Sequence, residues 1–236
     1  VDGKRKPPQL CVTNPGLQRV MIDYAHAHFE ANPDADMVSL DPADQAGWCT
    51  CAECAKLGHH SAQPFYLANI VGGKLAKTHP GKFVGLLAYS WYSAPPPFKL
   101  EPNVYVQMTL GFNATHYSRE ELFDMWTERC DHMGIYEYYS YWEMDWSMLP
   151  GNARVTDLAA MPQRYGRFVR NGVNSISAQA SNNWGIHGLG YYVANKIMWD
   201  TSASVEAITQ DFYEKAFGPA ASAMQRYYER VGAAND

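Results

Sequence analysis

The chain is predicted to be an α/β protein of (β/α) TIM-barrel type, on three observations. Short apolar runs alternate with stretches of helical periodicity. The run 83–89 is continuously apolar, as in a strand covered on both faces. Polar and aromatic residues gather just beyond the apolar runs, where such barrels keep their sites. Five strands can be counted in the sequence, whereas a full barrel of this kind has eight. The expectation is therefore a barrel portion over residues 1–200, incomplete at its N-terminal side, with C-terminal helices over 201–236 packed on it. An open doubly wound sheet is the alternative.

The elements follow in order. Asn14-Pro15 is a helix start, with Asn as cap and Pro in the first turn. Leu17, Val20, Met21, Tyr24 and Phe29 form the stripe, and Asn32-Pro33 ends it. Met37 to Leu40 is a short strand running into Asp41-Pro42-Ala43-Asp44. Phe65, Ala68, Val71 and Leu75 mark a second helix that stops at His79-Pro80-Gly81. Strands are expected at 83–89 and 104–109. Ser118 and Glu121 form a capping box that opens the next helix. A strand at 134–139 precedes a helix over 157–170, interrupted near Pro162, and 173–178 is the last strand. Helices over 189–198, over 205–217 and from Pro219 onward complete the chain.

Composition narrows the class. With 236 residues, 47% of them hydrophobic, the chain can build a substantial core. A net charge of −5 without a basic run argues against nucleic acid as a partner. No apolar stretch reaches the ~20 residues needed to span a bilayer. The opening Val-Asp-Gly-Lys-Arg-Lys-Pro-Pro has neither an initiator Met nor the form of a signal peptide, and reads as a cut within a longer chain.

The most informative local pattern is cysteine spacing. Cys49, Cys51 and Cys54 lie in the run 47–54 (Gly-Trp-Cys-Thr-Cys-Ala-Glu-Cys), and Cys11 lies apart. Four thiolates can close a zinc tetrahedron, so Cys11, Cys49, Cys51 and Cys54 are candidate ligands of a structural zinc. Two disulfides, or free thiols, are the alternatives. Cys130 reads as a small buried hydrophobe. His59-His60 reads as a surface pair close to the cysteines. Either form of knot would fasten the loop that carries Asp44.

The predicted strand ends collect Asp41 and Asp44; Tyr89, Trp91 and Tyr92; Asn113, His116 and Tyr117; Glu137, Tyr138 and Tyr139, with Trp142 and Glu143 beyond; and Gln179, Asn182, Asn183, Trp184 and His187. Rings that stack on sugar faces, amides that bind hydroxyls and carboxyls that cleave glycosidic bonds together suggest a carbohydrate site. Each residue also has a plainer reading. Asp44 suits a turn, Trp184 suits a core, and Glu137 inside a barrel requires a partner or a function.

These residues resemble a known family. The segments 9–15 (Gln-Leu-Cys-Val-Thr-Asn-Pro), 32–36 (Asn-Pro-Asp-Ala-Asp), 38–44 (Val-Ser-Leu-Asp-Pro-Ala-Asp) and 47–54 agree in order with a bacterial glycoside-hydrolase-like family of unknown function. So do 87–89 (Leu-Ala-Tyr), 95–97 (Pro-Pro-Pro) and 184–192 (Trp-Gly-Ile-His-Gly-Leu-Gly-Tyr-Tyr) through Trp199-Asp200. The resemblance implies a (β/α) barrel following an α-glucuronidase- or hexosaminidase-type N-terminal domain. It also implies polysaccharide processing in the periplasm or outside the cell. One departure stands out: relatives carry Glu at or beside the position of Gln179. Gln cannot exchange a proton at neutral pH, so the position is an inactive variant, a deliberate replacement or a shifted alignment.

The expected function is therefore glycoside hydrolysis of an oligosaccharide or polysaccharide, with an N-terminal part of the same protein as partner. Glu137 is the expected acid, Asp44 the second carboxylate, and Gln179 the altered catalytic position. Trp91, Tyr139, Trp142, Asn183, Trp184 and His187 are the expected sugar contacts. A non-catalytic carbohydrate-binding or scaffold module is the competing class.

Overall fold

The structure, a computed structural model, describes residues 9–140 and 149–234. Its elements are α1 (Pro15–Ala31), β1 (Met37–Ser39), α2 (Ala52–Ala55), α3 (Ala62–Thr78), β2 (Phe83–Ser90), β3 (Val104–Asn113), α4 (Arg119–Thr127), β4 (His132–Tyr138), α5 (Met161–Arg170), β5 (Val173–Gln179), α6 (Trp184–Trp199), α7 (Val205–Phe217) and α8 (Ala221–Gly232). The strands form a sheet in the order β1-β2-β3-β4-β5. A doubly wound sheet reverses its order at a switch point. No reversal occurs here, so the order is that of a barrel-like α/β fold. No helix among the described residues is long and apolar enough to cross a membrane.

The chain divides into two compact units, Val1–Ile135 and Tyr136–Asp236. In the first unit β1 pairs in parallel with β2, setting Val38 against Val84, and β2 pairs in parallel with β3, setting Leu86 against Val106. Val84, Leu86 and Ala88 of β2 and Val104, Val106 and Met108 of β3 alternate along their strands and are buried, which sets one face of this pair in the core. Helix α3 covers it with Phe65, Ala68, Val71 and Leu75, which recur near the helical period and are wholly buried. Phe65, Val71 and Leu75 each contribute about 1.5–3 kcal/mol by leaving water. Trp126 of α4 packs on Phe65 at 4.8 Å between ring centroids and donates its indole N–H to the Ser93 carbonyl at 2.7 Å.

The expected helix starts are present. Asn14 Oδ1 accepts the amides of Gly16 (2.8 Å) and Leu17 (3.1 Å), and Ser118 with Glu121 closes both arms of the capping box. Three bounds differ most from expectation. Strand β3 runs on to Asn113, four residues past the expected end. Helix α5 begins at Met161, so Pro162 lies in the first turn, where a missing N–H and fixed φ cost nothing, and does not interrupt the helix. Helix α6 begins at Trp184, five residues before the expected start, because the glycine-rich opening conceals helical backbone. Cys51 also caps a four-residue helix, α2, too short for periodicity to reveal.

In the second unit, α6 is the central helix. Leu189, Tyr191, Val193, Ala194 and Ile197 are buried, and Phe212 of α7 packs on Tyr192 of α6 and on Tyr228 of α8. The expected boundary near residue 200 thus falls within this unit. Gly190 lets α6 approach the 3₁₀ turn Arg154–Thr156: a Cβ there would lie 2.2 Å from the Val155 carbonyl oxygen. The opposing atom is backbone and cannot swing away. Gly190→Ala should therefore destabilise the protein by about 2 kcal/mol, despite alanine's better helix propensity, as read by urea unfolding. Unchanged stability would contradict this close approach.

Candidate functional site

The first unit gathers the four cysteines. All are free thiols, and the sulfurs of Cys11, Cys49, Cys51 and Cys54 lie within 4.8 Å of one another. Cys11 Sγ is 3.7 Å from Cys51 Sγ and 3.8 Å from Cys54 Sγ. Four sulfurs about 2.3 Å from a central zinc would stand about 3.8 Å apart along the tetrahedral edges. The donor set and the spacing thus fit zinc. The amide of Cys54 donates to Cys51 Sγ at 3.4 Å, and the Thr13 hydroxyl lies 3.3 Å from Cys54 Sγ. Contacts of this kind orient sulfur ligands. The Cys54 amide is the chief cause lowering the Cys51 thiol to about 6, whereas desolvation raises Cys49 to about 12 and also raises Cys54.

The cluster lies beside the Asp44 loop. Gln9 donates from Nε2 to the carbonyls of Ala43 and Gln45, each at 2.6 Å, and so holds both neighbours of Asp44. Asp44 itself is exposed. The Tyr89 phenol is raised mainly by burial, with the Asp44 charge adding to it. Asp41 is structural. Its carboxylate accepts the Leu87 amide (2.7 Å) and the Ser39 hydroxyl (2.7 Å), joining the end of β1 to β2.

The carboxyl ends of β2 and β3 are strained. Ser90 and Phe112 hold φ at 48° and 52°, left-handed conformations that cost a non-glycine residue about 1–3 kcal/mol, and the β2–β3 register shifts between Ala88 and Ser90. This break carries Trp91 outward, to 51% exposure. Its carbonyl accepts from His60 Nε2 at 3.0 Å, and His60 stacks on Trp48 at 5.5 Å and 20°. Trp48 meets Tyr92 edge-on, and Tyr89 meets both Tyr92 and Phe112.

In the second unit Glu137 is wholly buried. Its Oε1 accepts from Arg154 Nε (2.7 Å) and from the Tyr138 amide (3.0 Å), and its Oε2 accepts from Arg154 Nη2 (3.0 Å). Arg164 Nη1 stands 3.8 Å from Oε2, and Arg164 Nη2 lies 3.6 Å from Asp157. Tyr139, only 1% exposed, lies inside this unit, its hydroxyl 2.5 Å from that of Tyr165. Burial raises both phenols, Tyr165 to about 12.

The end of β5 presents Gln179 to solvent, while its carbonyl accepts the Tyr139 amide at 3.0 Å. Beyond it the hydroxyls of Ser140, Ser181 and Tyr191 converge, and Ser181 Oγ accepts the Asn183 amide at 3.3 Å. Trp184 opens α6 at 60% exposure and meets Tyr191 edge-on at 5.0 Å. His187 is buried one turn along. Trp142 lies outside the described residues. The structure thus brings the four cysteines together, and places Asp44 and Trp91 in the first unit and Glu137, Tyr139, Gln179, Asn183, Trp184 and His187 in the second. Sequence reading missed the roles of Gln9 and His60 and the convergence of Arg154 and Arg164 on Glu137. No motif marks those residues; the requirement that a buried Glu137 have a partner was the one usable signal.

Breaking a buried ion pair strands the remaining charge, at a cost of about 3–5 kcal/mol. Glu137→Gln and Arg154→Met should each destabilise the protein by about that amount, and the double variant should recover part of the loss. Chemical denaturation of the three variants would show it. Wild-type stability in Glu137→Gln would exclude the pair as a stabilising element.

The chain belongs to the family described as a domain of unknown function (DUF4838), whose model matches residues 1–230. No curated protein matches it.

Proposed function

We propose that this member of the DUF4838 family is a carbohydrate-active protein that binds oligosaccharide or polysaccharide at the carboxyl ends of its strands. One observation carries the reading: strained backbone at Ser90, at the end of β2, is followed by Trp91, which is half-exposed. A tryptophan face held in water at a conformational cost is suited to a flat apolar partner, and the face of a sugar ring is one. Covering about 100 Å² of it would contribute about 2.5 kcal/mol. Trp184, just beyond β5 and beside Asn183, offers the second unit's counterpart.

Hydrolysis is the second reading, and the exposed Asp44, fixed through its neighbours by Gln9, favours it. Cleavage requires two carboxyl groups. Both oxygens of Glu137 accept from Arg154, and Gln179 cannot transfer a proton at neutral pH. Binding without turnover is therefore the better supported of the two. A glycan panel tests both. Some member should bind the wild-type protein, with Trp91→Ala weakening it at least ten-fold. Hydrolysis seen only in Gln179→Glu would mark that position as a lost catalytic carboxyl. A panel with no binder would sink the carbohydrate reading.

We also infer a structural zinc at Cys11, Cys49, Cys51 and Cys54. Four protein ligands would close its coordination and leave no position for substrate. Coordination would also shield the thiols from oxidation if the protein works outside the cytoplasm. Reduced protein should retain one zinc per chain by elemental analysis, and Cys54→Ser should lose it. Metal-free wild-type protein carrying two disulfides by mass would overturn this assignment.

A further inference from the structure

The cysteine cluster and the exposed tryptophan are joined by a short chain of contacts. Cys49 is bonded through the backbone to Trp48, whose ring stacks on His60 at 5.5 Å, and His60 holds the Trp91 carbonyl at 3.0 Å. A second strut runs beside the first: Gln63, on the buried first turn of α3, donates from Nε2 to the Cys49 carbonyl at 2.9 Å. All these residues lie in the first unit.

We propose that a metal ion bound by the four cysteines sets the position of Trp91, with Trp48 and His60 as positioning residues. The inference rests on the zinc assignment and on the reading of Trp91 as a sugar contact.

The physical reason lies in what else could hold these rings. Trp48 Nε1 is buried with no hydrogen-bond partner among the described residues, so no polar contact of the indole fixes the ring. Its stack on His60, its edge contact with Tyr92 and its bond to Cys49 remain to place it. The Cys49–Cys54 run follows the exposed 43–47 loop and enters the four-residue α2, with little packing of its own beyond Cys54 and the Gln63 bond. Four uncoordinated thiols attract one another weakly; four bonds to one ion do not stretch. Coordination would therefore remove the freedom of Cys49, and with it that of Trp48. His60 would then be confined between Trp48 and its neighbours, and its Nε2–H would stay aimed at Trp91.

The stretch that follows is the one under strain. Ser90 has φ of 48°, the Tyr92 amide donates to the Tyr89 carbonyl at 2.9 Å, and the Ser93 amide donates to the Ser90 carbonyl at 3.3 Å. A strained turn relaxes when an external anchor is released, and His60 is such an anchor. Metal loss should thus loosen residues 90–93, some 30 residues along the chain from the His60 that holds them, while the packed strand 84–88 stays protected.

Hydrogen exchange on the 236-residue chain tests this with Zn²⁺ alone as ligand. Reduced protein is compared with one equivalent of zinc and after removal of zinc by a chelator. Zinc should slow exchange of the 90–93 amides at least ten-fold, as well as that of residues 49–57. His60→Phe, which keeps a ring on Trp48 but lacks the donor, should bind one zinc and protect 49–57 without protecting 90–93; Trp48→Leu should do the same. Protection in the wild type confined to residues around the cysteines would overturn the proposal. So would His60→Phe showing wild-type protection at 90–93. If the variants fail to fold, the wild-type comparison decides by itself. With a glycan ligand in hand, chelation should also weaken its binding about ten-fold in the wild type and leave it unchanged in His60→Phe. The exchange experiment needs no sugar, so a failure of the carbohydrate reading would leave its outcome intact.

Discussion

Closure of the four-thiol cluster is the constraint on which the first unit's candidate site depends. Cys11 stands just ahead of the cap of α1, with its carbonyl accepting the Asn14 amide, and Cys54 is the buried residue of the short α2 that precedes α3. Bringing these sulfurs together fixes the approach of the chain to both helices and the loop between β1 and α2. A strand of three residues such as β1 offers little packing to do this by itself. The same closure aligns the Cys49 carbonyl with Gln63 and brings Trp48 over His60. Gln9 adds polar bonds where the sulfurs do not reach, so Asp44 is held by its neighbours and keeps its own carboxylate in water.

The second unit answers a different problem. A carboxylate without access to solvent is costly unless its lone pairs and its charge are both met. Arg154 meets Glu137 in two-pronged fashion, the geometry that suits guanidinium to carboxylate, and the Tyr138 amide fills a further position. Around them the phenols of Tyr139 and Tyr165 share a bond with each other. Glu137 therefore organises the interior at the end of β4, while the groups that reach solvent near β5 are amide, hydroxyl and indole. Recognition by stacking and hydrogen bonding suits such a surface better than proton transfer does.

Much of this was legible in the chain. Apolar and alternating runs located the five strands to within a few residues, since a strand with a buried face leaves a period-two or continuous apolar pattern. Caps at Asn14 and Ser118 were legible because they act on backbone two or three residues away. The cysteine set was legible because four thiols at close spacing suit few purposes. Less visible were contacts between residues distant in sequence. His60 reads as a surface histidine until Trp91, 31 residues on, supplies its carbonyl. Nothing in the sequence links Arg154 and Arg164 to Glu137 until the fold turns both toward it. Tyr139 and Trp184 look alike as aromatic residues past strand ends, yet one is buried and the other mostly exposed.

The sequence by itself determined the α/β class, the order of elements, the helix starts, the thiol cluster and the aromatic character of the strand ends. These follow from periodicity, local hydrogen bonding and residue chemistry, which act over a few positions. Tertiary structure decided the one-directional strand order, which ring faces water, which acid is paired and what anchors the strained turn before Trp91. Those depend on which distant side chains the packing brings within hydrogen-bond reach, and neither local periodicity nor local hydrogen bonding encodes that.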